Sequence, residues 1–350
     1  MDTDDNINQN LGKYEGASSK VEGRDLPVDQ YEKQLITDYF KRNKLILYEK
    51  DRVKKSDKEI LRERGYSILQ KAIGRGAFGV VHRVRRENLI NGSATEAAVK
   101  VLEMSTNYTK HLSDFKHEVF MFQLLKHENI IELYEAFLID QQGYIVIEFA
   151  TGGSLHKFVQ NSGLKERRAK RYFFEIASAI RHMHQIGVAH RDIKLHNIML
   201  CKPRSLKQQS LCKVTDFGLS RIMYTKNNGY HWGRTQCGTM AYMAPEILEK
   251  NELGERHYNP MSPDIWALGV CLYTMLFRRH PFRDVESAKE LLEQQQARKL
   301  KISQVLGESG NKVNISEDCL DLIFNLLELN PRKRITFNGI LAHKWTNFKY

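Results

Sequence analysis

The chain has 350 residues, a formal charge of +12, and 41% hydrophobic against 27% charged residues. This is the balance of a folded globular protein, which excludes a chain disordered throughout, a fibrous chain and a disulfide-stapled miniature. The longest apolar run, Ala267 to Phe277, is about half of the roughly 20 residues a membrane span requires, and it reads as a buried helix. Cys201, Cys212, Cys237, Cys271 and Cys319 are scattered, with no C-x-x-C pair and no metal-ligand spacing, so they read as reduced, packed thiols. Met1-Asp2 lacks the second-position glycine of a myristoylation signal, and the acidic start lacks the basic-then-apolar order of a secretory peptide. An intracellular, cytoplasmic location is expected, with the nucleus as the alternative. The positive charge raises nucleic acid or anionic lipid as partners. No aromatic-basic recognition motif accompanies it, and basic faces for phosphate-bearing ligands are the preferred reading.

Residues 1–27 are polar and almost free of large apolar side chains, so they cannot bury enough surface to fold alone and are expected to be disordered. From Val28, Tyr31, Leu35, Tyr39 and Phe40 recur at helical spacing, and a charged stretch follows from Glu49 to Arg64. Residues 1–65 therefore form an extension, disordered and then helical. Its Lys41, Arg42, Lys44, Arg52, Lys54 and Lys55 read as a solvated helix face, with a localisation signal or lipid patch as the alternative. Beyond Tyr66 come short β-branched runs at Ile73, Val80-Val81, Ala98 to Val101 and Tyr144 to Ile147, the pattern of a small antiparallel sheet. Between them, Leu112 to Leu125 places Phe115, Val119, Phe122 and Leu125 on one helical face. After Gly152-Gly153 helical patterns dominate, including Lys165 to Ile186 and Ser262 to Phe277. The predicted class is α+β, a strand-rich lobe followed by a helical lobe.

Gly74-Arg75-Gly76-Ala77-Phe78-Gly79 is a glycine-rich phosphate loop that is weak evidence alone. A dinucleotide fold would place a helix after it, whereas Val81-His82-Arg83-Val84 alternates as a strand does, so the glycines belong to a hairpin. Glycine leaves backbone N–H groups open to a triphosphate because no Cβ blocks the approach. About twenty residues on, Lys100 lies on a strand, and Glu118 on the next helix is placed to pair with it as a fixed charge for phosphates. The most specific stretch is His190-Arg191-Asp192-Ile193-Lys194-Leu195-His196-Asn197, followed by Asp216-Phe217-Gly218. Asp192 suits acceptance of a hydroxyl proton, Asn197 and Asp216 suit Mg²⁺, and Lys194 suits neutralisation of a transferring phosphoryl group. Ala244-Pro245-Glu246 completes the series in order.

From Tyr66 to Trp345, roughly four fifths of the chain, these motifs resemble a eukaryotic protein kinase. The resemblance implies a two-lobed domain over 66–346, with an N-lobe at 66–147, a hinge at 148–150, a C-lobe at 151–346 and a short tail at 347–350. It implies ATP bound by Ile73, Gly74, Gly76, Phe78, Gly79, Val81, Ala98, Lys100, Glu148, Ala150 and Met199. Ile147 would be the gatekeeper, and Val81, Ala98 and Met199 would sandwich the adenine. The metal would be Mg²⁺, with Mn²⁺ as the alternative, on Asn197 and Asp216. Phe122, Leu133, His190 and Phe217 would stack above an anchor at Asp264, and Glu246 would pair with Arg334 as a structural bridge.

Lys194 two residues after Asp192, and Gly238-Thr239 before Tyr242-Met243-Ala244-Pro245-Glu246, resemble the serine/threonine pattern. Protein substrates with Ser/Thr acceptors are the implied partners. Arg191 beside Asp192 resembles kinases switched by loop phosphorylation, with Thr235 as the acceptor and Arg191 and Arg221 as its clamp, through an upstream kinase or autophosphorylation. The stretch Lys58 to Ile68 with its Arg64-Gly65-Tyr66, and His343-Lys344-Trp345, look most like the testis-specific serine/threonine kinases near the calcium/calmodulin-dependent group. A pseudokinase scaffold is the rival reading, against which Lys100, Asp192 and Asp216 are all present. Where basophilic relatives carry acidic residues, this chain has Ser154, His196 and Thr274, so arginine upstream of the acceptor is expected to be weakly preferred.

Overall fold

The computed structural model describes residues 28–43, 48–49, 55–76, 79–87, 94–104, 107–139, 141–201, 210–225, 229–250, 254, 256–282, 285–297 and 315–346. The expectations for residues 1–27, Lys44, Arg52, Lys54, Phe78 and the tail at 347–350 lie outside the described residues. The described residues divide into two units, one up to Thr151 and one from Gly152 onward.

The first unit holds α1 (Val28–Asn43), β1 (Tyr48–Glu49), α2 (Asp57–Glu63), β2 (Tyr66–Gly76), β3 (Gly79–Glu87), β4 (Ala94–Glu103), α3 (Tyr108–Leu124), β5 (Leu133–Ile139) and β6 (Gln142–Glu148). The strands make one sheet in the order β1-β5-β6-β4-β3-β2. Period-two alternation along β4 separates its residues between the sheet faces. Ala97, Val99 and Val101 join Val84, Phe137, Tyr144 and Val146 in a core that Ile60 and Leu61 of α2 cover. Ala98 and Lys100 are thereby left on the opposite face. A capping box sets the start of α2, since Ser56 Oγ accepts from the Glu59 N–H while the Glu59 carboxylate accepts from the Ser56 N–H at 2.8 Å.

Two expectations differ from this unit. The sheet is antiparallel except at β1, which runs parallel to β5 with Tyr48 opposite Leu138. Two residues are too short a strand for alternation to reveal. The helical spacing read from Val28 falls on α1, whose Leu35, Ile36 and Tyr39 are buried. Helix α3 begins at Tyr108 rather than Leu112, where Asn107 Oδ1 accepts from the Lys110 N–H at 3.3 Å.

The second unit holds α4 (Leu155–Ser162), α5 (Glu166–Gln185), β7 (Val188–Ala189), β8 (Ile198–Cys201), β9 (Leu211–Val214), β10 (Arg221–Ile222), β11 (Tyr224–Thr225), β12 (Gly229–Tyr230), α6 (Pro245–Leu248), α7 (Ser262–Phe277), α8 (Ala288–Gln296), α9 (Glu317–Leu326) and α10 (Phe337–Ala342). All of α7 except Ile265 is buried, as its apolar run predicts. The guanidinium of Arg334 donates to both carboxylate oxygens of Glu246 at 2.5 and 2.9 Å, and to the carbonyl and hydroxyl of Ser262 at 3.0 Å. A buried ion pair needs this degree of satisfaction to offset its desolvation. Among the described residues no helix is long and apolar enough to cross a membrane.

Candidate active site

In the first unit, β3 brings Val81 opposite Lys100, and Arg83 opposite Ala98. Directly opposed residues share a face, so Val81, Ala98 and Lys100 line one side of the sheet. The ladder between β2 and β3 runs to Gly76 opposite Gly79, and Gly74 opposes Val81. A Cβ on Gly79 would come within 2.0 Å of the Val101 carbonyl oxygen, so only glycine permits this approach of β3 to β4. Ile73 is exposed, whereas Ala98 and Ala150 are buried. At the end of β6, the Glu148 N–H donates to the Glu132 carbonyl at 2.9 Å, and its carboxylate accepts from the Glu132 N–H at 3.3 Å.

Lys100 Nζ donates to both carboxylate oxygens of Glu118 at 2.7 Å. The Glu118 side chain is only 7% exposed, and its partner retains 18% exposure. The lysine is therefore fixed in direction while its ammonium keeps access to a further ligand, as a grip on phosphates requires.

In the second unit the loop after β7 is held from below by Asp264 at the start of α7. Its carboxylate accepts from the backbone N–H groups of His190 at 2.8 Å and Arg191 at 2.9 Å, and meets His184 Nε2 at 2.9 Å. Burial opposes the charge of Asp264, yet the His184 hydrogen bond, with His184 and His190 around it, holds its carboxyl below the usual carboxylate range. With those amides held by the carboxylate, Arg191 adopts a left-handed φ of 69° just before Asp192.

Both oxygens of Asp192 are fixed. Oδ2 accepts from Lys194 Nζ at 2.7 Å and Asn197 Nδ2 at 3.2 Å. Oδ1 accepts from the N–H of Thr239 at 3.0 Å and from its hydroxyl at 2.8 Å. Lys194 Nζ also donates to Thr239 Oγ1 at 2.8 Å, closing a ring of three side chains. The sequence reading used Thr239 only to choose the acceptor class and missed this contact. Gly238 enables it, since φ is 100° there and a Cβ would lie 2.6 Å from the Arg191 carbonyl.

Asn197 spends its amide N–H groups on Asp192, at its side chain and at its backbone carbonyl 3.0 Å away, which leaves the amide oxygen as the group for a ligand. The Thr215 N–H donates to the Asn197 carbonyl at 3.0 Å, and Ile198 opposes Val214, so Asn197 and Asp216 flank one end of the β8–β9 hairpin. Asp216 is exposed, with φ of 68°. A hard oxygen pair of amide and carboxylate suits Mg²⁺ or Mn²⁺ rather than a soft metal. Beside it, the ring of Phe217 meets His190 edge-on at 5.6 Å between centroids. Met199 on β8 bridges to Ser154.

Arg191 donates to Thr235 Oγ1 at 2.7 Å and to Cys237 Sγ at 2.8 Å. Arg221 donates to the Ser220 carbonyl at 2.7 Å. The three positions singled out for substrate preference carry no negative charge. Ser154 caps α4, Thr274 is buried and donates to the Val270 carbonyl at 2.7 Å, and His196 stacks on His156 at 3.7 Å. Burial, then the charges of His156, Lys194 and His280, hold the His196 imidazole below its usual value.

The sequence resembles those of known proteins. A sequence model described as protein kinase domain matches residues 67–346. Testis-specific serine/threonine-protein kinase 5 of Mus musculus is 31% identical over 320 residues, covering 83% of this chain and 79% of that protein. SNF-related serine/threonine-protein kinase of Homo sapiens is 32% identical over 286 residues, covering 80% of this chain and 33% of that protein. Serine/threonine-protein kinase kin-29 of Caenorhabditis elegans is 31% identical over 280 residues, covering 80% of this chain and 30% of that protein. The chain belongs to the protein kinase family. Each of these relatives is by name a serine/threonine kinase, and the match spans a third or less of the human and nematode proteins.

Proposed function

We propose that this chain transfers the γ-phosphoryl group of ATP to serine or threonine hydroxyls of protein substrates, through a kinase domain over residues 66–346 with its hinge at 148–150. The observation that carries the reading is the closed ring of Asp192, Lys194 and Thr239, with Asn197 on its edge. Asp192 orients the acceptor hydroxyl and takes its proton, and its fixed oxygens spare the reorganisation that a mobile carboxylate would require. Lys194 places a positive charge beside that carboxylate, where negative charge gathers as the phosphoryl group moves. Lys100, held by Glu118, grips the α- and β-phosphates, while Val81 and Ala98 on the same face of the sheet offer apolar surface to the adenine. Asn197 and Asp216 would hold Mg²⁺, which supplies positive charge to the phosphate oxygens.

A pseudokinase scaffold is disfavoured because Lys100, Asp192 and Asp216 all stand in place. Thr235 is proposed as the regulatory acceptor, on the strength of the Arg191 guanidinium already bonded to its hydroxyl. Cytoplasmic residence, where ATP and thiol-reducing conditions prevail, is proposed with it. The test is phosphotransfer from labelled ATP to a peptide array with and without divalent metal. Asp216→Ala and Lys100→Met should each lower the rate by about a hundredfold or more. Retention of over about a tenth of the parent rate by both variants would remove the assignment.

A further inference from the structure

Helix α3 is buried on two opposite faces. Phe115, Glu118, Val119 and Phe122 form one stripe at helical spacing, which carries the partner of Lys100. His117, Phe120, Met121 and Leu124 form a second stripe, and all four are buried as well. A helix lying on a sheet alone would expose that second face to water. Here α1 meets it. The ring of Tyr39 contacts Phe120 edge-on at 5.1 Å between centroids, and Glu32 Oε1 lies 3.4 Å from His117 Nε2 with both side chains under 10% exposed. Leu35 and Ile36 of α1 are buried too. His117 immediately precedes Glu118, so any rotation of α3 that released α1 would swing the Glu118 carboxylate off Lys100.

We propose that Tyr39 and Glu32 are positioning residues for phosphoryl transfer, holding α3 from its outer face so that Glu118 stays on Lys100. The inference rests on the phosphotransfer reading above, because it acts through the lysine that grips ATP. Residues 28–43 are then part of the catalytic apparatus although they precede the segment that matches the family. Edge-to-face ring pairs and buried hydrogen-bonded contacts have the strength to bias a helix between two packed positions.

The test is a mutant cycle in the full chain, with Tyr39→Ala made alone and on Glu118→Gln. Alone it should lower kcat/KM for ATP about tenfold, mainly through KM, and on Glu118→Gln the same change should cost less than about twofold. Tyr39→Phe, which keeps the ring, should stay within about twofold of the parent. Amide exchange should accelerate across residues 115–121 in Tyr39→Ala while α7 stays protected. Glu32→Gln gives a second variant with the same expected non-additivity should the ring deletion not fold. An unchanged kcat/KM, or a tenfold loss that persists on Glu118→Gln, would overturn the inference, the latter by showing a general structural defect. If the parent protein transfers no phosphate, the kinase reading falls separately. Exchange at residues 115–121 then decides the positioning claim, and unchanged protection there overturns it.

Discussion

The hydroxyl of Thr239 donates to Asp192 at 2.8 Å and accepts from Lys194 at the same distance, so one small side chain orients both. Thr239→Val keeps the shape and removes both hydrogen bonds. We expect kcat to fall about tenfold to a hundredfold with the thermal midpoint little changed, since a misplaced catalytic group costs rate rather than fold. Thr239→Ser should recover most of the rate. Steady-state kinetics of the two variants separate the contributions, and a valine variant of parental kcat would make the ring incidental.

Thr235 presents its hydroxyl to Arg191 at 2.7 Å before any modification. A phosphate there would add about two charges and several acceptor oxygens to a guanidinium already in reach. Phosphorylated protein should be roughly tenfold more active than the unmodified form, and Thr235→Ala should lose the difference. Mass spectrometry paired with rate measurement checks this. Fully active protein with an unmodified Thr235 would dismiss the switch.

Asp264 predicts a pH dependence of stability. Its carboxyl sits below the usual range when folded, so the unfolded chain binds more protons in acid. The stability it contributes is complete above the ordinary carboxylate value of about 3.9 and is lost as pH falls through the lower folded value. Asp264→Asn should flatten this acid limb in urea unfolding. At neutral pH it should also cost about 1–3 kcal/mol by leaving a buried donor poorly met. An equally steep acid limb in the asparagine variant would place the dependence elsewhere.

Substrate preference follows from Ser154, His196 and Thr274. Thr274 is buried and turned to its own helix, and Arg278 donates to the Gln160 carbonyl at 2.5 Å. An upstream arginine therefore finds no carboxylate at these positions and forgoes roughly tenfold selectivity per missing charge-assisted contact. A positional peptide library should show little arginine enrichment two or three residues before the acceptor. Strong enrichment would mean that another acidic group receives it.

The pairing of Lys100 with Glu118 was legible because residue type, order and spacing constrain the two together. The helices from Glu166 and from Ser262 were legible because their apolar residues repeat at helical intervals over long runs. Contacts between distant segments were not. Thr239 reaches Asp192 across 47 positions, and no local pattern announces it. Strand β5 escaped notice because Tyr134 and Glu135 interrupt its apolar run, and Glu135 faces a specific partner, the hydroxyl of Tyr66. The stripe on α1 was visible at Tyr31, Leu35 and Tyr39, whereas its destination required seeing that α3 has a second apolar face.

Strand β1 lies along β5 at one border of the sheet, and α2 roofs the core beside it. A chain trimmed to the family segment at residue 67 would lose Ile60, Leu61 and Tyr66 from that core and bare the backbone donors and acceptors of β5. Bare strand borders recruit one another, so such a fragment would tend to self-associate through β5. The stretch that kinship marks out is thus shorter than the stretch that folding uses, and recombinant work has to start upstream of both β1 and α1.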